Sequence, residues 1–472
     1  MKNILFVASE ANPYAGTGGL GDVIGSLPAA LANENSDLDV RVVIPMHIGK
    51  ISEEYRKAMT KVCEFDVPLA WRSLYCGVYS LCDRGVTWYF IDNEYYFDRT
   101  RLYGEYDDGE RYAFFSKAVL EMLPHINFVP DILHANDWQS ALSVIYLKKC
   151  YPQYETKAIY TIHNIEYQGK YSFGILGDVF DLPNELAATV EYDGCINLTK
   201  GAIVCADKVS TVSARYAEEI GTEFYSHGLH YIIWENKDKV CGIVNGIDLS
   251  LYDPEDETLP APFSVEDPSG KDTCKVEIQR RFGLPESPTT PLVVMISRLA
   301  THKGFDLVKC VLEEFLQEDV QVVLLGTGER EYEEFFSWIA TRYPNKAATM
   351  LAYNKGIAKL LYAGGDIFLM PSLSEPCGLA QMMASRYGTI PVVRETGGLA
   401  DTIHPYDPTT GEGNGINFVS YNAHHMLDVL RRAVELYNNP DQWAKLRKNA
   451  MTYDFSWSKS AKLYLEMYDS LF

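Results

Sequence analysis

The chain has 472 residues, of which 42 are Lys or Arg and 64 are Asp or Glu, so its formal net charge at pH 7 is −22. At about 150 residues per domain this length predicts two or three domains, and a hydrophobic share of 47% indicates a folded chain. The acidic balance excludes nucleic acid and anionic membranes as main partners, because both bind clustered Lys and Arg.

The apolar segments of the chain are short. None approaches the ~20 apolar residues that cross a bilayer, and the opening MKNILFVASE lacks a signal-peptide cleavage pattern, so it predicts a buried strand. The ten cysteines form no CxxC pair and no zinc-finger spacing. Scattered thiols within apolar stretches favour a reducing, cytoplasmic location over a disulfide framework.

Near-continuous apolar runs recur through the first half of the chain, bounded by Gly, Pro, Asn or Asp. This pattern is typical of strands that are covered on both faces, as in parallel sheets. It predicts strands at residues 4–8, 40–44, 87–91, 132–134, 158–162 and 209–212. Apolar residues at positions 20, 23, 24, 27 and 31 follow helical spacing, and Pro28 is expected to kink that helix.

The same pattern returns in the second half, where it predicts strands at residues 292–297, 320–326, 349–352, 367–370 and 391–394. Alternating strands and helices predict an α/β fold with doubly wound sheets. A turn-rich break follows residue 240, so we predict two Rossmann-like domains, at 1–243 and 244–455, and a terminal helix at 456–472 that packs on the first domain. Two facing domains would leave a deep cleft for ligands at the carboxyl ends of the strands.

Three loops of the first domain carry candidate site residues. Gly-Thr-Gly-Gly at residues 16–19 precedes a helix and can hold a phosphate on backbone amides, although it is neither GxGxxG nor a Walker loop and can equally be a tight turn. His163 follows a predicted strand, where a lone histidine can also be structural. Asp137 and Trp138 offer a carboxylate and an aromatic plate for a sugar ring, although Asp137 can also cap the next helix.

Two loops of the second domain carry further candidates. Arg298 and Lys303 follow the domain's first predicted strand and suit a diphosphate, whereas a solvated surface pair is the alternative. Glu375 follows another strand and precedes Pro-Cys-Gly-Leu, which opens a helix, so its carboxylate can bind a ligand or cap that helix. No group of His, Asp or Glu has the spacing of a catalytic metal site.

Nine motifs follow one another along almost the whole chain. They are ILFVASEANPY, TGGLGDVIGSLP, HANDW, TIHNIEYQG, VNGID, SRLATHKGFD, EPCGLAQ, ETGGLADT and DFSW. Together, in this order and spacing, they resemble the family of bacterial glycogen synthases and plant starch synthases. The resemblance implies two facing Rossmann-like domains of the glycosyltransferase B type. It also implies transfer of glucose, with retention of configuration, from ADP-glucose to the non-reducing end 4-hydroxyl of an α-1,4-glucan.

The resemblance implies a role for individual residues as well. It implies catalytic roles for His163, Arg298, Lys303, Glu375 and Asp137. It implies donor contacts from Gly16, Thr17, Gly18, Gly19, Asn245, Tyr353, Cys377, Gly378, Leu379, Thr396 and Gly397. It implies acceptor contacts from Glu10, Tyr96, Asp137, Trp138 and Asn164. The implied partners are a nucleotide sugar and a glucan, with no metal and no pyridoxal phosphate.

Two positions depart from the family pattern. Gly16 stands where the family usually has a lysine, and Glu395 stands where an arginine is frequent. Both changes remove positive charge near the donor, so two alternatives stay open: a UDP-glucose donor or a different acceptor, and a weakly active paralogue that binds glucan and regulates an active synthase. We also expect that Gly16→Lys leaves folding intact and tightens donor binding.

Overall fold

The computed structural model describes residues 2–472, which divide into two compact units. The first unit runs to Gly246 and resumes at Trp457, and the second comprises Ile247–Ser456. The first boundary therefore falls after Gly246 rather than after residue 243, where the sequence pattern places it. No helix among residues 2–472 has the length and hydropathy needed to cross a membrane.

The first unit is built on a nine-stranded sheet with a small three-stranded sheet beside it. Its strands are β1 (Lys2–Val7), β2 (Leu38–Pro45), β3 (Thr60–Leu69), β4 (Arg72–Asp83), β5 (Val86–Asp92), β6 (Ile132–Asn136), β7 (Lys157–Ile162), β8 (Lys170–Tyr171), β9 (Glu191–Tyr192), β10 (Cys195–Asn197), β11 (Lys208–Thr211) and β12 (Val240–Gly242). The large sheet has the order β12-β11-β7-β6-β1-β2-β5-β4-β3. It is parallel except at β4 and β3, which form an antiparallel edge.

Ten α-helices connect or cover these strands. They are α1 (Gly19–Glu34), α2 (Glu53–Ala58), α3 (Glu94–Phe97), α4 (Asp108–His125), α5 (Trp138–Lys149), α6 (Ala187–Val190), α7 (Leu198–Cys205), α8 (Ala214–Glu219), α9 (His230–Glu235) and, at the far end of the chain, α18 (Trp457–Asp469). Helix α1 continues through Pro28 and buries Val23, Ile24, Leu27 and Leu31, as the spacing of its apolar residues predicts.

The second unit is a six-stranded parallel sheet. Its strands, in the order β15-β14-β13-β16-β17-β18, are β13 (Leu292–Ile296), β14 (Gln321–Leu325), β15 (Ala347–Met350), β16 (Ile367–Met370), β17 (Ile390–Arg394) and β18 (Ile416–Phe418). Its helices are α10 (Gly270–Phe282), α11 (Phe305–Phe315), α12 (Arg330–Arg342), α13 (Lys355–Gly364), α14 (Ala380–Arg386), α15 (Gly397–Thr402), α16 (Ala423–Tyr437) and α17 (Pro440–Thr452). The α/β class with parallel sheets is as predicted.

Each unit has its own apolar core between sheet and helices. The core of the first unit includes side chains of β1, β2 and α1, and also Tyr464 and Tyr468 of the terminal helix α18. The hydroxyl of Tyr468 lies 2.8 Å from Nδ1 of His134 on β6, and Nζ of Lys2 lies 2.6 Å from a carboxylate oxygen of Asp469. The last helix therefore completes the core of the unit in which the chain begins.

Candidate active site

Three neighbouring strands of the first unit end at one edge of the sheet, and each is followed by a candidate residue. Strands β1, β6 and β7 are adjacent and parallel. Glu10 follows β1, Asp137 follows β6, and His163 follows β7. Because carboxyl ends of parallel strands share an edge, the fold brings these three predicted residues together.

The carboxylate of Glu10 holds the glycine loop. One of its oxygens accepts hydrogen bonds from the backbone N–H of Thr17 at 2.9 Å and from the hydroxyl of Thr17 at 2.6 Å, and the other accepts from the N–H of Gly21 at 2.9 Å. Burial raises the pKa of Glu10, and these hydrogen bonds oppose the shift. The resemblance implies an acceptor contact for Glu10; in the structure its carboxylate holds the glycine loop that precedes α1.

The loop leaves little room for a side chain at position 16. A Cβ atom on Gly16 would lie 2.4 Å from Oδ1 of Asn12, and Nδ2 of Asn12 donates a 2.6 Å hydrogen bond to Asp22. A lysine at position 16 must therefore displace the side chain of Asn12, and the expectation that Gly16→Lys leaves folding intact stays a prediction. By contrast, Gly18 and Gly19 are exposed and a Cβ atom on either would meet nothing.

Asp137 has a backbone conformation that is rare for residues other than glycine. Its φ is 56° and its ψ 175°, a region that costs on the order of 1–3 kcal/mol for such a residue. One carboxylate oxygen accepts a 2.7 Å hydrogen bond from the N–H of His163. Burial raises the pKa of Asp137 to about 7, against the lowering effect of the His163 and Asn164 amides. Strain and a raised pKa at one strand end are typical of a functional residue.

The ring of His163 is fixed in one tautomer by Asn136. Nδ2 of Asn136 donates to the carbonyls of Val7 at 3.3 Å and His134 at 3.1 Å, so its Oδ1 is an acceptor. Nε2 of His163 lies 2.9 Å from that Oδ1 and must carry the proton. Burial lowers the pKa of His163 to about 3, so the ring is neutral, with the lone pair of Nδ1 available for a ligand.

The remaining acceptor candidates differ in how much surface they offer. Trp138 is partly exposed, and Gly169 packs so closely on its ring that a Cβ atom there would lie 2.8 Å from Cε3. Asn164 is partly exposed, and its Oδ1 accepts a hydrogen bond from the N–H of Glu166. Tyr96 is buried, and its hydroxyl donates to Glu110 at 2.5 Å, whereas the neighbouring Tyr95 is 67% exposed. An exposed ring is available at Tyr95, and Tyr96 offers none.

In the second unit, the adjacent strands β13, β16 and β17 bring the other candidates to one edge of the sheet. Nζ of Lys303, after β13, lies 2.6 Å from Oε2 of Glu375, after β16. Glu375 is buried, and the same oxygen accepts a hydrogen bond from the hydroxyl of Ser372 at 3.1 Å. The N–H of Leu373 donates to the carbonyl of His302, which ties the two loops together.

Arg298 differs from Lys303 in having no partner. Its side chain is exposed and makes no hydrogen bond or ion pair within residues 2–472. Lys303, by contrast, is neutralised by Glu375 and is largely shielded from solvent. The segment after β13 therefore carries one unpaired guanidinium and one paired ammonium, and an anionic ligand would meet the guanidinium without first breaking an ion pair.

The glycine turns beside Glu375 let two helices begin against its backbone. Gly378 (φ 72°) precedes α14, and Gly397 (φ 43°) opens α15. A Cβ atom on Gly397 would lie 2.0 Å from the carbonyl oxygen of Glu375, and the N–H of Gly398 donates to that carbonyl at 3.1 Å. Leu379 forms the N-terminal cap position of α14, Thr396 that of α15, and Cys377 is buried between these turns. The first turn of α15 thus packs against the backbone of the Glu375 loop.

Two predicted donor residues lie apart from these clusters. Tyr353 follows β15 at the edge of the second unit's sheet, and its side chain is 82% exposed. Asn245 lies in the first unit, next to its boundary; it is buried, and its Oδ1 has no hydrogen-bond partner among residues 2–472. Within that range, no group of three or more His, Cys, Asp and Glu side chains is arranged to hold a metal ion.

Sequence reasoning missed three residues that shape these loops. Asn136 orients His163, Ser372 hydrogen-bonds Glu375, and Asn12 fills the space beside Gly16. Each is a small polar residue close in sequence to one of the candidates. The available signal was their proximity in sequence to a candidate. Many other polar residues of the chain share that proximity, so it does not identify these three.

Comparison with known proteins gives matches along most of the chain. Residues 3–235 match the family described as "Starch synthase catalytic domain", and residues 277–450 match "Glycosyl transferases group 1". The chain is 46% identical to glycogen synthases of Bacillus cereus (strain B4264), over 99% of each chain, and of Geobacillus stearothermophilus, over 99% of this chain and 97% of the relative.

Solved structures with the same fold include the following two. The catalytic domain of starch synthase IV from Arabidopsis thaliana, solved with ADP and acarbose, has a TM-score of 0.91 at 31% identity and covers 100% of this chain and 99% of its own. Sucrose-phosphate synthase from Thermosynechococcus elongatus has a TM-score of 0.61 at 16% identity, with coverage of 100% and 99%, and this likeness concerns the fold alone.

Proposed function

Because the chain belongs to the family of bacterial glycogen synthases and plant starch synthases, a family of glycosyltransferases, we propose that it transfers glucose from ADP-glucose to the 4-hydroxyl at the non-reducing end of an α-1,4-glucan. The anomeric configuration is retained, and neither a metal nor pyridoxal phosphate takes part. The observation that carries this proposal is the ion pair of Lys303 and Glu375 at 2.6 Å, together with the unpartnered Arg298 on the same segment after β13.

The cations of the second unit bind the leaving group. The guanidinium of Arg298 has no competing carboxylate, so it contacts the diphosphate directly and forms two parallel hydrogen bonds to it. Lys303 bridges the diphosphate and Glu375, which keeps the ammonium in place. Negative charge develops on the leaving oxygen as its bond to glucose breaks, and preorganised cations and helix amides stabilise that charge. A base contact from Tyr353 and amide contacts from Gly378 and Leu379 complete the donor site.

The first unit supplies a hydrogen-bond acceptor and a carboxylate that face the glucose unit. The neutral ring of His163 presents Nδ1 as a hydrogen-bond acceptor, because Nε2 donates to Asn136. A sugar hydroxyl donates to Nδ1, which orients the glucose unit for transfer. Asp137 lies beside it and, with a pKa of about 7, carries a partial negative charge at neutral pH that favours positive character at the anomeric carbon.

The reaction exchanges one C–O bond for another on the same face of the sugar. The bond from the anomeric carbon to the diphosphate oxygen breaks, and a bond to the acceptor's 4-hydroxyl oxygen forms. The hydroxyl proton passes to the departing diphosphate, which is the nearest strong base. No covalent intermediate on the enzyme is needed. The proposal requires His163, Arg298, Lys303 and Glu375 to contact one sugar diphosphate.

A donor panel with glycogen as acceptor tests the proposal. We expect labelled glucose to enter glycogen from ADP-glucose, and faster than from UDP-glucose. A preference for UDP-glucose would favour the alternative donor, which the glycine at position 16, in place of the family lysine, motivates. Glucan binding without turnover, unchanged by Glu375→Ala, would favour the regulatory paralogue. No incorporation from any donor by the folded protein would overturn the proposed reaction.

A further inference from the structure

The side chain of Arg394, the last residue of β17, reaches across to the loop that carries Glu375. Its Nη1 donates hydrogen bonds to two successive carbonyl oxygens, those of Ser372 at 3.3 Å and Leu373 at 2.8 Å. Both residues follow β16, the strand that neighbours β17 in the sheet. One guanidinium nitrogen therefore ties the ends of two adjacent strands together, a short distance along the chain before Glu375.

A second set of contacts fixes the same guanidinium. Its Cζ lies 5.5 Å from the centre of the Tyr421 ring, a distance typical of a cation–π contact. The hydroxyl of Tyr421 donates to the carboxylate of Asp306 in the first turn of α11. Asp306 lies in the motif that also contains Lys303. Arg394 thus contacts the loop of Glu375 directly and, through Tyr421, the segment of Lys303.

The ion pair of Lys303 and Glu375 joins the two segments that Arg394 contacts. Nζ of Lys303 lies 2.6 Å from Oε2 of Glu375, and the hydroxyl of Ser372 donates to the same oxygen at 3.1 Å. The bond from Arg394 to the carbonyl of Ser372 therefore fixes the residue that helps to orient the carboxylate. Both Ser372 and Glu375 are buried, so a displaced Ser372 would leave a buried carboxylate with one donor fewer.

We infer that Arg394 is a positioning residue: it holds the loop of residues 371–376 so that Glu375 and Lys303 keep the arrangement that glucose transfer requires. This inference rests on the proposed function, because the pair it holds is the one proposed to contact the donor. Arg394 acts through the backbone of the loop and not through contact with the substrate. A planar guanidinium can lie against an aromatic ring and donate along its edge at the same time, whereas the ammonium of a lysine is a single compact charge.

Steady-state kinetics of Arg394→Ala test the inference with the full chain. Losing both hydrogen bonds to the loop should lower kcat about 10-fold or more. The KM for ADP-glucose should change less than about threefold, because every group proposed to bind the donor is still present. The matched control is Arg432→Ala, which removes an exposed arginine from α16 in the same unit and should keep the kinetics of the unmodified protein. A rise in KM larger than the fall in kcat would mean that Arg394 binds the donor itself, and would overturn the inference.

A conservative variant and a soluble guanidinium ion test the same contact. Arg394→Lys keeps a cation and most of the side-chain volume, so its kcat should lie between those of the alanine variant and the unmodified protein. Guanidinium chloride, at concentrations far below those that unfold proteins, should restore part of the kcat of Arg394→Ala, because the free ion can donate to the two carbonyls, and should not change Arg432→Ala. Should the alanine variant fold poorly, the lysine variant still reports, since a kcat equal to that of the unmodified protein would overturn the inference.

Hydrogen exchange without donor separates a failure of this inference from a failure of the proposed function. The N–H of Leu373 donates to the carbonyl of His302, and the segment 371–376 should exchange faster in Arg394→Ala while the rest of the second unit keeps its rates. Unchanged exchange in this segment would overturn the inference. So would faster exchange throughout the sheet with an unchanged kcat per folded molecule, which would show a merely structural role. If the unmodified protein transfers no glucose from any donor, the proposed reaction is refuted, whereas faster exchange confined to residues 371–376 would still show that Arg394 holds the loop.

Discussion

Nε2 of His163 lies 2.9 Å from Oδ1 of Asn136, and the amide of Asn136 is itself held by two backbone carbonyls. The side chain that sets the histidine tautomer is thus anchored in the sheet, at the end of the neighbouring strand. A ring held in this way loses little entropy when a sugar binds, so its orientation is available before the substrate arrives.

Replacing Asn136 with alanine should lower kcat more than it changes KM for the donor. The ring of His163 would lose its acceptor and rotate or change tautomer, and the loss of one buried hydrogen bond of about 1–3 kcal/mol corresponds to about 5- to 150-fold in rate. Steady-state kinetics with the proposed donor measure the effect. Asn136→Asp keeps Oδ1 and should retain more activity than the alanine variant. Equal kinetics in the unmodified protein and both variants would show that Asn136 does not position His163.

The raised pKa of Asp137 predicts a pH-dependent stability. The unfolded carboxyl ionises near 3.8, whereas the folded one ionises near 7, so the folded state binds more protons between these values. Stability from this group is therefore fully present below the unfolded pKa and is lost as pH rises through 7. Asp137→Asn should raise the midpoint of thermal unfolding at pH 8 and have little effect at pH 4, although it removes the proposed catalytic charge. If Asp137→Asn instead lowers the midpoint of thermal unfolding at pH 8, the raised pKa of Asp137 is contradicted.

The backbone of Asp137 allows a separate test. Glycine adopts a φ of 56° with a ψ of 175° at no steric cost, so Asp137→Gly should relieve strain on the order of 1–3 kcal/mol while abolishing most activity. Asp137→Ala removes the same carboxylate and keeps the strain, so it is the matched control. Thermal unfolding should place the glycine variant above the alanine variant, and the reverse order would argue against strain at this position.

Lys303 and Arg298 should respond differently to substitution. Lys303→Ala leaves the buried carboxylate of Glu375 without its cation, so it should lower both thermal stability and kcat/KM. Arg298→Gln removes an exposed, unpartnered cation, so it should weaken donor binding by about 10-fold or more and leave unfolding unchanged. Scanning calorimetry together with donor titrations distinguishes the two. A destabilising Arg298→Gln would mean that the guanidinium has a structural role.

Position 16 should accept a lysine only when Asn12 is replaced by a smaller residue. In the single variant Gly16→Lys, the new Cβ atom would collide with Asn12, which is hydrogen-bonded to Asp22, so we expect lower stability and no gain in donor affinity. The double variant Asn12→Ala/Gly16→Lys opens that space, and the added cation should tighten nucleotide-sugar binding by about 1–3 kcal/mol. Isothermal titration with ADP-glucose measures the donor affinity of both variants. A single variant that binds as tightly as the double one would show that Asn12 moves freely.

Periodicity predicted the strands that are buried on both faces, because short, continuous apolar runs bounded by turn residues are typical of such strands. It missed the long hairpin of β3 and β4 at the antiparallel edge, where most residues of β3 are exposed or alternate between exposed and more buried positions. A mixed polar strand of this kind depends on its partner more than on its own composition. The strand ends that carry His163, Lys303 and Glu375 were predictable for the same reason as the strands themselves.

The contacts of Glu10 and Asn136 were not predictable, because they depend on which strands are neighbours. Glu10 is separated from Gly21 by eleven positions and Asn136 from His163 by twenty-seven, yet each pair is joined by a hydrogen bond of 2.9 Å. Sequence spacing alone contains no information on such contacts. The resemblance implies an acceptor contact for Glu10, and only the folded loop indicates what its carboxylate holds.

Helix α18 enters the core of the first unit from the last sixteen residues of the chain, 457–472. During synthesis on the ribosome, residues 247–456 have all been translated before that helix leaves the exit tunnel. The second unit can therefore acquire its native packing while the first still exposes the apolar surface around His134 that Tyr464 and Tyr468 later cover. The half of the molecule made first is the half completed last, and for that interval its uncovered surface is exposed to chaperones and to aggregation.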